Sequence, residues 1–405
     1  MTFLRRVDLC FEAEENAYGI GPCVTEVRCI MRQTIGVVTG GGDCPGLNAV
    51  IRAVAKAAHR RGWRAVGIVG GYEGLLEPQQ TKALEGDVLN GLLVRGGTIL
   101  GTANQGKFSA KVGHGESRQL PTELLEATKR GCEALGLVGL VSIGGDGSLS
   151  IARQLHEFGI PIVGVPKTID NDLASTVMTF GFDSAVACAT DALDRLHSTA
   201  ESHRRVMVLE VMGRYAGWIA VYSGVAGGAD VILIPEIPFD YEKVCRKIGE
   251  RSEAGKHFSI VVVAEGARPA GADFVTSNPQ SVNREARLGG IGLQVAEEIQ
   301  RRTGKETRCV VLGHLQRGGS PTNMDRALCT VFGAKAVDLI AEGKFGTMVS
   351  FSGSSVTSVS LTEATVAIRT VPLDGGFVSA ARSLGVSFGD QQTQQEVKDV
   401  YNAKR

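Results

Sequence analysis

The sequence lacks the patterns that mark common metal and disulfide proteins. Nine cysteines are scattered over 405 residues without a C-x-x-C pair, and no H-E-x-x-H segment occurs. Structural and catalytic zinc sites, like disulfide frameworks, have recognisable cysteine or histidine spacings. The sequence therefore predicts neither a zinc site nor a disulfide scaffold, and it favours a reducing, cytoplasmic location.

Net charge and long apolar runs are also absent. Lysine plus arginine and aspartate plus glutamate each number 43, so the formal net charge is zero. Without a basic excess, neither nucleic acid nor an anionic membrane is expected as a partner. No apolar run approaches the roughly 20 residues of a transmembrane helix. Acidic residues at positions 8, 12, 14, 15 and 26 occupy the place where a signal peptide has its apolar core.

Glycine is abundant, and apolar strands alternate with amphipathic helices. The 53 glycines suggest many tight turns and close approaches of the backbone to a ligand. A strand at 34–40 precedes a helix with one apolar stripe, formed by Leu47, Val50, Ile51, Val54 and Ala58. The pattern recurs at 137–159, where the helix carries Leu149, Ala152 and Leu155.

The same alternation continues towards the C-terminus. Further strands are predicted at 161–165, 205–211, 230–235, 259–266 and 308–313, and helices near 183–201, 285–302 and 324–341. Apolar strands separated by such helices are typical of parallel sheets covered on both faces. The predicted fold class is α/β, with two doubly wound, mainly parallel domains. Residues 1–30 show no periodicity and are expected to form a disordered extension, and the polar segment 105–120 a mobile loop.

Two glycine-rich turns follow predicted strands. "TGGGDCPGLN" at 39–48 and "GGDGS" at 144–148 each lead into a helix N-terminus, which offers backbone N–H groups and a positive dipole end to an anion. Neither is a P-loop or a G-x-G-x-x-G fingerprint. Three glycines can also serve only a tight turn, and Asp146 can be an N-cap. Two such turns at neighbouring strand ends favour a phosphate site, with Asp146 as a magnesium ligand.

The segment "PKTIDND" at 166–172 combines one lysine with two aspartates at a strand end. Aspartate and asparagine favour turns by bonding to their own backbone, which is one interpretation. The other is phosphoryl transfer, in which a carboxylate takes the proton of the acceptor hydroxyl and a lysine stabilises phosphate charge. An EF-hand is excluded, because the required glycine and closing glutamate are missing.

Basic residues recur at 95–102, 202–217 and 307–321, each near a strand end or glycine-containing loop. Arginine at such places can clamp a sugar phosphate, although single arginines are more often solvated surface charges. Combined with both glycine turns, the three segments indicate a phosphorylated substrate.

Seven motifs together resemble the 6-phosphofructokinase family. They are "GGGDCPGLNAVIR", "RGGTILGT", "GGDGS", "PKTIDND", "MGRYAGW", "AEG" and "GHLQRGGSP", in the family's order and over residues 34–345. The resemblance implies two α/β domains with the active site in the cleft between them, and transfer of a phosphoryl group to the 1-hydroxyl of fructose 6-phosphate. It also implies Mg²⁺ as cofactor and a homotetramer, or a homodimer, with active sites shared across subunits.

The resemblance assigns roles residue by residue. Asp170 matches the general base, with Arg95, Arg214, Lys167 and Thr168 in the catalytic group. Donor contacts match Gly41, Arg95, Thr102, Gly145, Asp146, Gly147 and Ser148, with Asp146 as the metal ligand. Sugar-phosphate contacts match Thr168, Asp170, Asp172, Met212, Gly213, Arg214, Glu265, His314 and Arg317, and Arg205 and Arg308 match arginines supplied by a neighbouring subunit.

The implied domains are discontinuous. A donor domain would comprise residues 34–172 and about 316–360, and a fructose 6-phosphate domain about 173–315 and about 361–390. Residues 1–33 and 391–405 would be an N-terminal extension and a C-terminal tail.

Two residues bear on whether the phosphoryl donor is ATP or pyrophosphate, and they point in opposite directions. Pyrophosphate-dependent members carry an aspartate at the position of Gly147 and a lysine at that of Lys167. Gly147 leaves space beside a nucleotide α-phosphate, whereas Lys167 can serve either donor, so the sequence favours ATP. Asn104 departs from an arginine common after "RGG", and effector-site residues match only in part. A pyrophosphate-dependent enzyme and a non-catalytic sugar-phosphate or nucleotide sensor are the alternatives.

Overall fold

Apolar runs and one-sided helices build two large β-sheets in the computed structural model, beside a small two-stranded one. The structure describes residues 32–103, 106–108, 111–112, 116–117, 119–274 and 288–390. The predicted N-terminal extension at 1–30 and the C-terminal tail at 391–405 lie outside the described residues.

The predicted strands and helices are present in the described residues, together with elements that were not predicted. The strands are β1 Thr34–Thr39, β2 Arg64–Ile68, β3 Thr81–Ala83, β4 Lys111–Val112, β5 Glu116–Ser117, β6 Leu137–Gly144, β7 Ile162–Pro166, β8 Val206–Val211, β9 Val231–Leu233, β10 Ser259–Ala264, β11 Thr307–Val311, β12 Thr347–Phe351 and β13 Val356–Ser360. The α-helices are α1 Leu47–Arg60, α2 Thr122–Ala134, α3 Asp146–Glu157, α4 Phe182–His203, α5 Trp218–Ala226, α6 Tyr241–Glu253, α7 Ile291–Thr303, α8 Asn323–Ala341, α9 Leu361–Thr365 and α10 Gly376–Ser383.

The first sheet has the strand order β13-β12-β7-β6-β1-β2-β3, and the second has the order β11-β8-β10-β9. The second sheet is parallel throughout. In the first, only the outer pairs β2–β3 and β12–β13 are antiparallel. These two mainly parallel sheets with their helices confirm the predicted α/β class.

Burial of the predicted stripes positions the helices on the first sheet. All five apolar residues of the α1 stripe are buried, as are the three of α3. Helix α1 ends at Arg60 and packs against α8, and Gly62 just beyond it has the left-handed φ of 73° that suits a helix terminus. Because α1 follows β1 and α3 follows β6, the N-termini of these two helices lie at the carboxyl ends of those strands.

Some elements differ from the prediction. Helix α7 begins at Ile291 rather than near 285, and residues 275–287 lie outside the described residues. The segment 105–120, which was predicted to be a mobile loop, contains the short antiparallel pair β4–β5, and several of its other residues lie outside the described ranges. None of the helices in the described ranges combines the length and the apolar character needed to cross a membrane.

Candidate active site

A cavity of about 800 Å³ opens where strands of both sheets end. In the first sheet the chain runs from β1 to β2 on one side and returns to β6 on the other, so the connections diverge between β1 and β6. Crevices at such switch points are the usual ligand sites of open parallel sheets. Segments after β1, β6 and β7 line the cavity from the first sheet, and segments after β8, β10 and β11 line it from the second.

The two glycine-rich turns lie side by side. A Cβ atom on Gly40 would stand 2.5 Å from the Ser148 hydroxyl, so only glycine permits this approach of the turns. Gly145 is the N-cap of α3, no side chain caps it, and Asp146 is the first helical residue rather than the N-cap. The start of α3 therefore presents its first-turn N–H groups beside the cavity, where an anion would be favoured.

In the turn after β7, one residue stabilises the backbone of the turn and others line the cavity. Asn171 has a left-handed φ of 52°, and its side-chain oxygen accepts a hydrogen bond from the Thr179 backbone N–H at 3.0 Å. Asn171 thus performs the turn role that one interpretation gave to the whole segment. The cavity-lining residues of this turn are Lys167, Thr168, Asp170 and Asp172.

Lys167 is buried beside the first glycine turn. Its ammonium donates a hydrogen bond to the Gly42 carbonyl, and burial lowers its pKa. Burial also raises the pKa of the adjacent Cys44 thiol to about 12. Cys44 is therefore a neutral packing residue at ordinary pH, and it is not suited to act as a nucleophile.

Arg214 and Glu265 are brought together by a close approach of two loops. A Cβ atom on Gly266 would stand 2.0 Å from the Arg214 carbonyl oxygen, and the Gly266 N–H donates to the Gly213 carbonyl at 3.1 Å. Burial, followed by the charge of Asp170, raises the pKa of Glu265 to about 7, and Arg214 opposes the rise. The cavity thus holds two interacting carboxyl groups next to an arginine.

Arg317 connects the second sheet to the first glycine turn. Its guanidinium donates to the Asp43 carbonyl at 3.2 Å, and a Cβ atom on Gly42 would come within 2.6 Å of the same nitrogen. His314 lines the cavity nearby. Arg214 and Arg317 supply permanent positive charge around one space, and Lys167 adds to it in its protonated form, as binding of several phosphate groups requires.

Five residues assigned by resemblance are not among the described residues that line the cavity: Arg95, Thr102, Gly213, Arg205 and Arg308. Thr102 supports the site, because its hydroxyl donates to the Gly41 carbonyl at 2.5 Å. Arg95 is exposed, and its carbonyl accepts from the Asn48 side chain at 3.1 Å.

Arg205 and Arg308 lie at the opposite edge of the second sheet. Arg205 directly precedes β8 and Arg308 is the second residue of β11, so both stand at the amino ends of strands whose carboxyl ends face the cavity. Both form ion pairs with Glu306, at 2.7 and 2.6 Å.

The described residues contain no cluster of three or more histidine, cysteine, aspartate or glutamate side chains arranged to hold a metal ion. A magnesium ion that bridges phosphates needs only one or two protein carboxylates, with water and phosphate oxygens completing its shell. Asp146, at the cavity wall beside the start of α3, fits that smaller requirement.

Comparison with known proteins agrees with the cavity. The family profile described as Phosphofructokinase matches residues 34–340. The chain belongs to the phosphofructokinase family.

Relatives within the phosphofructokinase family differ in the donor that their names state. The chain is 53% identical to a protein of Chloroflexus aurantiacus named ATP-dependent 6-phosphofructokinase, over 89% of this chain and 99% of that one. It is 49% identical to one of Amycolatopsis methanolica named pyrophosphate–fructose 6-phosphate 1-phosphotransferase, over 84% and 96%. The solved phosphofructokinase of Saccharomyces cerevisiae shares 30% identity and a TM-score of 0.72, over 82% of this chain and 45% of that longer chain.

Sequence reasoning missed part of this phosphofructokinase cavity. The additional lining side chains are Asp43, Tyr72, Glu73, Ala103, Phe108, Ile151 and Tyr215. Tyr72 and Glu73 belong to the 3₁₀ helix Gly71–Leu75, which follows a strand that was not predicted. Asp43 and Tyr215 lie inside recognised motifs, so their position next to assigned residues was the available signal.

Proposed function

We propose that this chain is an ATP-dependent 6-phosphofructokinase, which transfers the γ-phosphoryl group of ATP to the 1-hydroxyl of fructose 6-phosphate in glycolysis. The observation that carries the proposal is one cavity shared by two unlike walls. One wall presents glycine turns and the start of α3. The other presents Asp170 together with Arg214 and Arg317. A nucleotide phosphate chain suits the first wall and a sugar phosphate the second.

Asp170 is the general base of this proposal. It follows β7 on the edge of the cavity, within the turn that Asn171 holds. A carboxylate here accepts the proton of the sugar hydroxyl as the oxygen attacks phosphorus. Arg214 and Lys167 offset the negative charge that spreads over the transferred group.

Mg²⁺ is the proposed cofactor, held by Asp146 together with donor phosphates. When bound, it would neutralise phosphate charge and orient the donor. The chain itself contributes the backbone N–H groups of Gly145, Gly147 and Ser148 to donor binding. They lie at the N-terminus of α3, where the helix dipole favours a negatively charged phosphate.

ATP is the proposed donor because two features suit a nucleotide. Gly147 presents no side chain at the start of α3, so an α-phosphate can approach the helix without steric or charge conflict. Tyr72 and Phe108, both largely buried, line the same cavity with ring centroids 5.5 Å apart, and their rings make this part of the wall apolar, which suits a base.

Pyrophosphate is the alternative donor. Lys167 lies beside the glycine turn, where it can pair with either donor, and a relative nearly as similar as those named for ATP is named for pyrophosphate. Initial rates with fructose 6-phosphate, Mg²⁺ and either donor decide the question, with fructose 1,6-bisphosphate detected by coupled enzymes. We expect kcat/KM for ATP to exceed that for pyrophosphate at least about tenfold. A higher kcat/KM for pyrophosphate would establish the pyrophosphate-dependent enzyme. If neither donor gave fructose 1,6-bisphosphate, the proposed phosphofructokinase activity would be refuted.

An oligomer with shared active sites is also proposed, with a homotetramer as the expected form. Arg205 and Arg308 stand at the amino ends of β8 and β11, away from the cavity at the carboxyl ends. In an assembly, that edge can complete the sugar-phosphate site of another subunit, which gives both arginines a phosphate partner in place of shared Glu306.

The first sheet with its turns is proposed as the donor domain, and the second sheet as the fructose 6-phosphate domain. Strands β12 and β13 join the first sheet, which supports assigning about 316–360 to the donor side. Ser387 pairs with Val231 of β9, which supports assigning the residues near 387 to the sugar side. Helix α9, in contrast, packs against α3 of the donor side, although it lies within the range 361–390 that was predicted for the sugar side. A cytoplasmic location is proposed because both substrates of the reaction are phosphorylated cytoplasmic metabolites.

A further inference from the structure

A C-terminal segment joins two loops of the cavity. Residues 368–371 are remote in sequence from both the turn that carries Asp170 and the loop 212–217 that carries Arg214. Ile368 forms an antiparallel bridge with Leu173. The backbone N–H of Arg369 donates to the Asp172 carbonyl at 2.8 Å. The segment is thus bound directly to the turn after β7.

The same segment is bound to the start of α5, which follows the Arg214 loop. The indole N–H of Trp218 donates to the Arg369 carbonyl at 3.0 Å. Glu236 accepts from the Val371 N–H at 2.8 Å and from the Gly217 N–H at 3.0 Å, so it ties the segment to the N-cap of α5.

The side chain of Arg369 makes both connections at once. Its guanidinium donates to the Asn171 carbonyl at 3.3 Å, and its central carbon lies 4.1 Å from the centroid of the Trp218 ring. Arginine suits this place because a planar cation can stack on an aromatic face while its edge donates hydrogen bonds. Neither Arg369 nor Trp218 is among the described residues that line the cavity.

The contacted turn is one that needs external support. Asn171 has a left-handed φ of 52°, which asparagine tolerates better than most residues but which surrounding contacts must still fix in one orientation. Thr179 fixes Asn171 through its side chain, whereas Arg369 fixes it through its carbonyl. The residue that this turn presents to the cavity is Asp170.

We propose that Arg369 is a positioning residue for phosphoryl transfer. It holds the Asp170 turn in a fixed relation to the Arg214 loop, through Asn171 on one side and Trp218 on the other. The inference rests on the proposed function, because phosphoryl transfer depends mainly on alignment of the acceptor, the base and the charge-stabilising groups. A displacement of about 1 Å can cost on the order of 100-fold in rate.

The test compares Arg369→Met with Arg382→Met. Methionine retains length and a contact with the indole face but removes the N–H donors. Arg382 is a matched control: its guanidinium lies 5.1 Å from the Phe388 ring and it pairs with Asp390, also in the C-terminal region but outside the cavity. We expect Arg369→Met to lower kcat roughly 10- to 100-fold relative to the control. Thermal midpoints of the two variants should fall by similar amounts.

Hydrogen–deuterium exchange supplies a readout that is independent of activity. Peptides covering 168–179 should exchange faster in Arg369→Met than in wild type and Arg382→Met. If Arg369→Met does not fold, Trp218→Phe replaces it, because phenylalanine retains an aromatic face but loses the indole donor to Arg369. A kcat within twofold of the control, or unchanged exchange over 168–179, overturns the inference. Failure of wild type to phosphorylate fructose 6-phosphate overturns the proposed function, and the exchange result then still decides whether Arg369 holds the turn.

Discussion

At the residue scale, neighbouring side chains of one short segment have different tasks. In "PKTIDND", Asn171 satisfies the backbone of its own turn, whereas Lys167 and Asp170 line the cavity. The turn interpretation is therefore confirmed for Asn171, whereas the phosphoryl-transfer role of Lys167 and Asp170 stays a prediction. Residue type and spacing indicated which chemistry the segment could support. Only the structure shows which of its residues line the cavity and which one holds the turn.

Gly147 is the residue that we expect to select the donor. Gly147→Asp places a carboxylate beside the proposed α-phosphate site, with a repulsion on the order of 1 to 4 kcal/mol. The kcat/KM for ATP should fall at least about tenfold, while any pyrophosphate activity is retained or improved. The helix itself should accept this change, because an acidic residue in the first turn interacts favourably with the dipole.

Gly147→Ala is the matched control, since it fills space without adding charge. It should cost less ATP activity than Gly147→Asp. If Gly147→Asp lowered the activity with ATP and with pyrophosphate equally, Gly147 would not be the residue that selects the donor.

Glu265 should make stability depend on pH. Its pKa in the folded protein, about 7, exceeds the ordinary value of 4.5, so the folded state binds more protons between these pH values. The contribution of Glu265 to the free energy of unfolding is therefore fully present below pH 4.5 and is lost as pH rises through 7. Thermal midpoints of wild type and Glu265→Gln, measured from pH 4.5 to 8, should show wild type losing stability relative to the variant. Parallel curves would contradict the assignment.

At the element scale, α4 depends on a carboxylate from another helix. Asp325 in α8 is buried and accepts hydrogen bonds from the Gly181 N–H, the Ser184 N–H and the Ser184 hydroxyl at 3.0, 2.9 and 2.6 Å. Gly181 is the N-cap of α4, and it has no side chain of its own to cap the helix. Asp325 therefore serves as the cap from a distance of 144 residues in sequence.

Asp325→Asn should destabilise the protein. An amide offers only one acceptor oxygen and directs an NH₂ group towards the Ser184 donors, which leaves a buried N–H without an acceptor. We expect a loss of roughly 1 to 3 kcal/mol, seen as a lower urea midpoint. Asp338→Asn, in the same helix but in an exposed ion pair with Arg61, should cost less than about 1 kcal/mol. Equal effects of the two substitutions would argue against the capping role.

Helices with a clear apolar stripe were predictable from the sequence, and others were not. The stripes of α1 and α3 specified helices that pack on one face of a sheet. Helix α5 is buried on nearly all sides, so its sequence lacks a polar face, whereas α6 buries only Val244 and Ile248 and resembles a solvated segment. Strands β2, β3, β12 and β13 lie in the outer part of the first sheet, where mixed exposure weakens the apolar pattern.

At the scale of the whole molecule, the site follows from the topology of two sheets. Motifs after six strands meet because parallel strands end at the same edge. That convergence was predictable for Asp146, Asp170 and Arg214. The positions of Tyr72 and Phe108 were not, because neither the 3₁₀ turn of Tyr72 nor the polar sequence around Phe108 carries a periodic signal.

Shared active sites predict complementation between defective subunits. Arg308→Ala and Asp170→Asn, each poor alone, should regain partial activity when co-expressed, because a mixed assembly contains sites with both residues intact. Arg214→Ala with Asp170→Asn is the matched control: both residues line the same cavity, so every site keeps one defect. Full activity of a monomer, or mixed assemblies with no recovery, would contradict the shared-site arrangement.

The turnover of Asp170→Asn tests the central claim most directly. Asparagine preserves size and can form hydrogen bonds, but it cannot take the proton from the sugar hydroxyl. With ATP, Mg²⁺ and fructose 6-phosphate at saturation, kcat should fall by roughly 10² to 10⁴. Binding of both substrates, measured by titration calorimetry, should change only a few-fold. A kcat close to wild type, with both substrates bound, would show that Asp170 is not the base of this reaction.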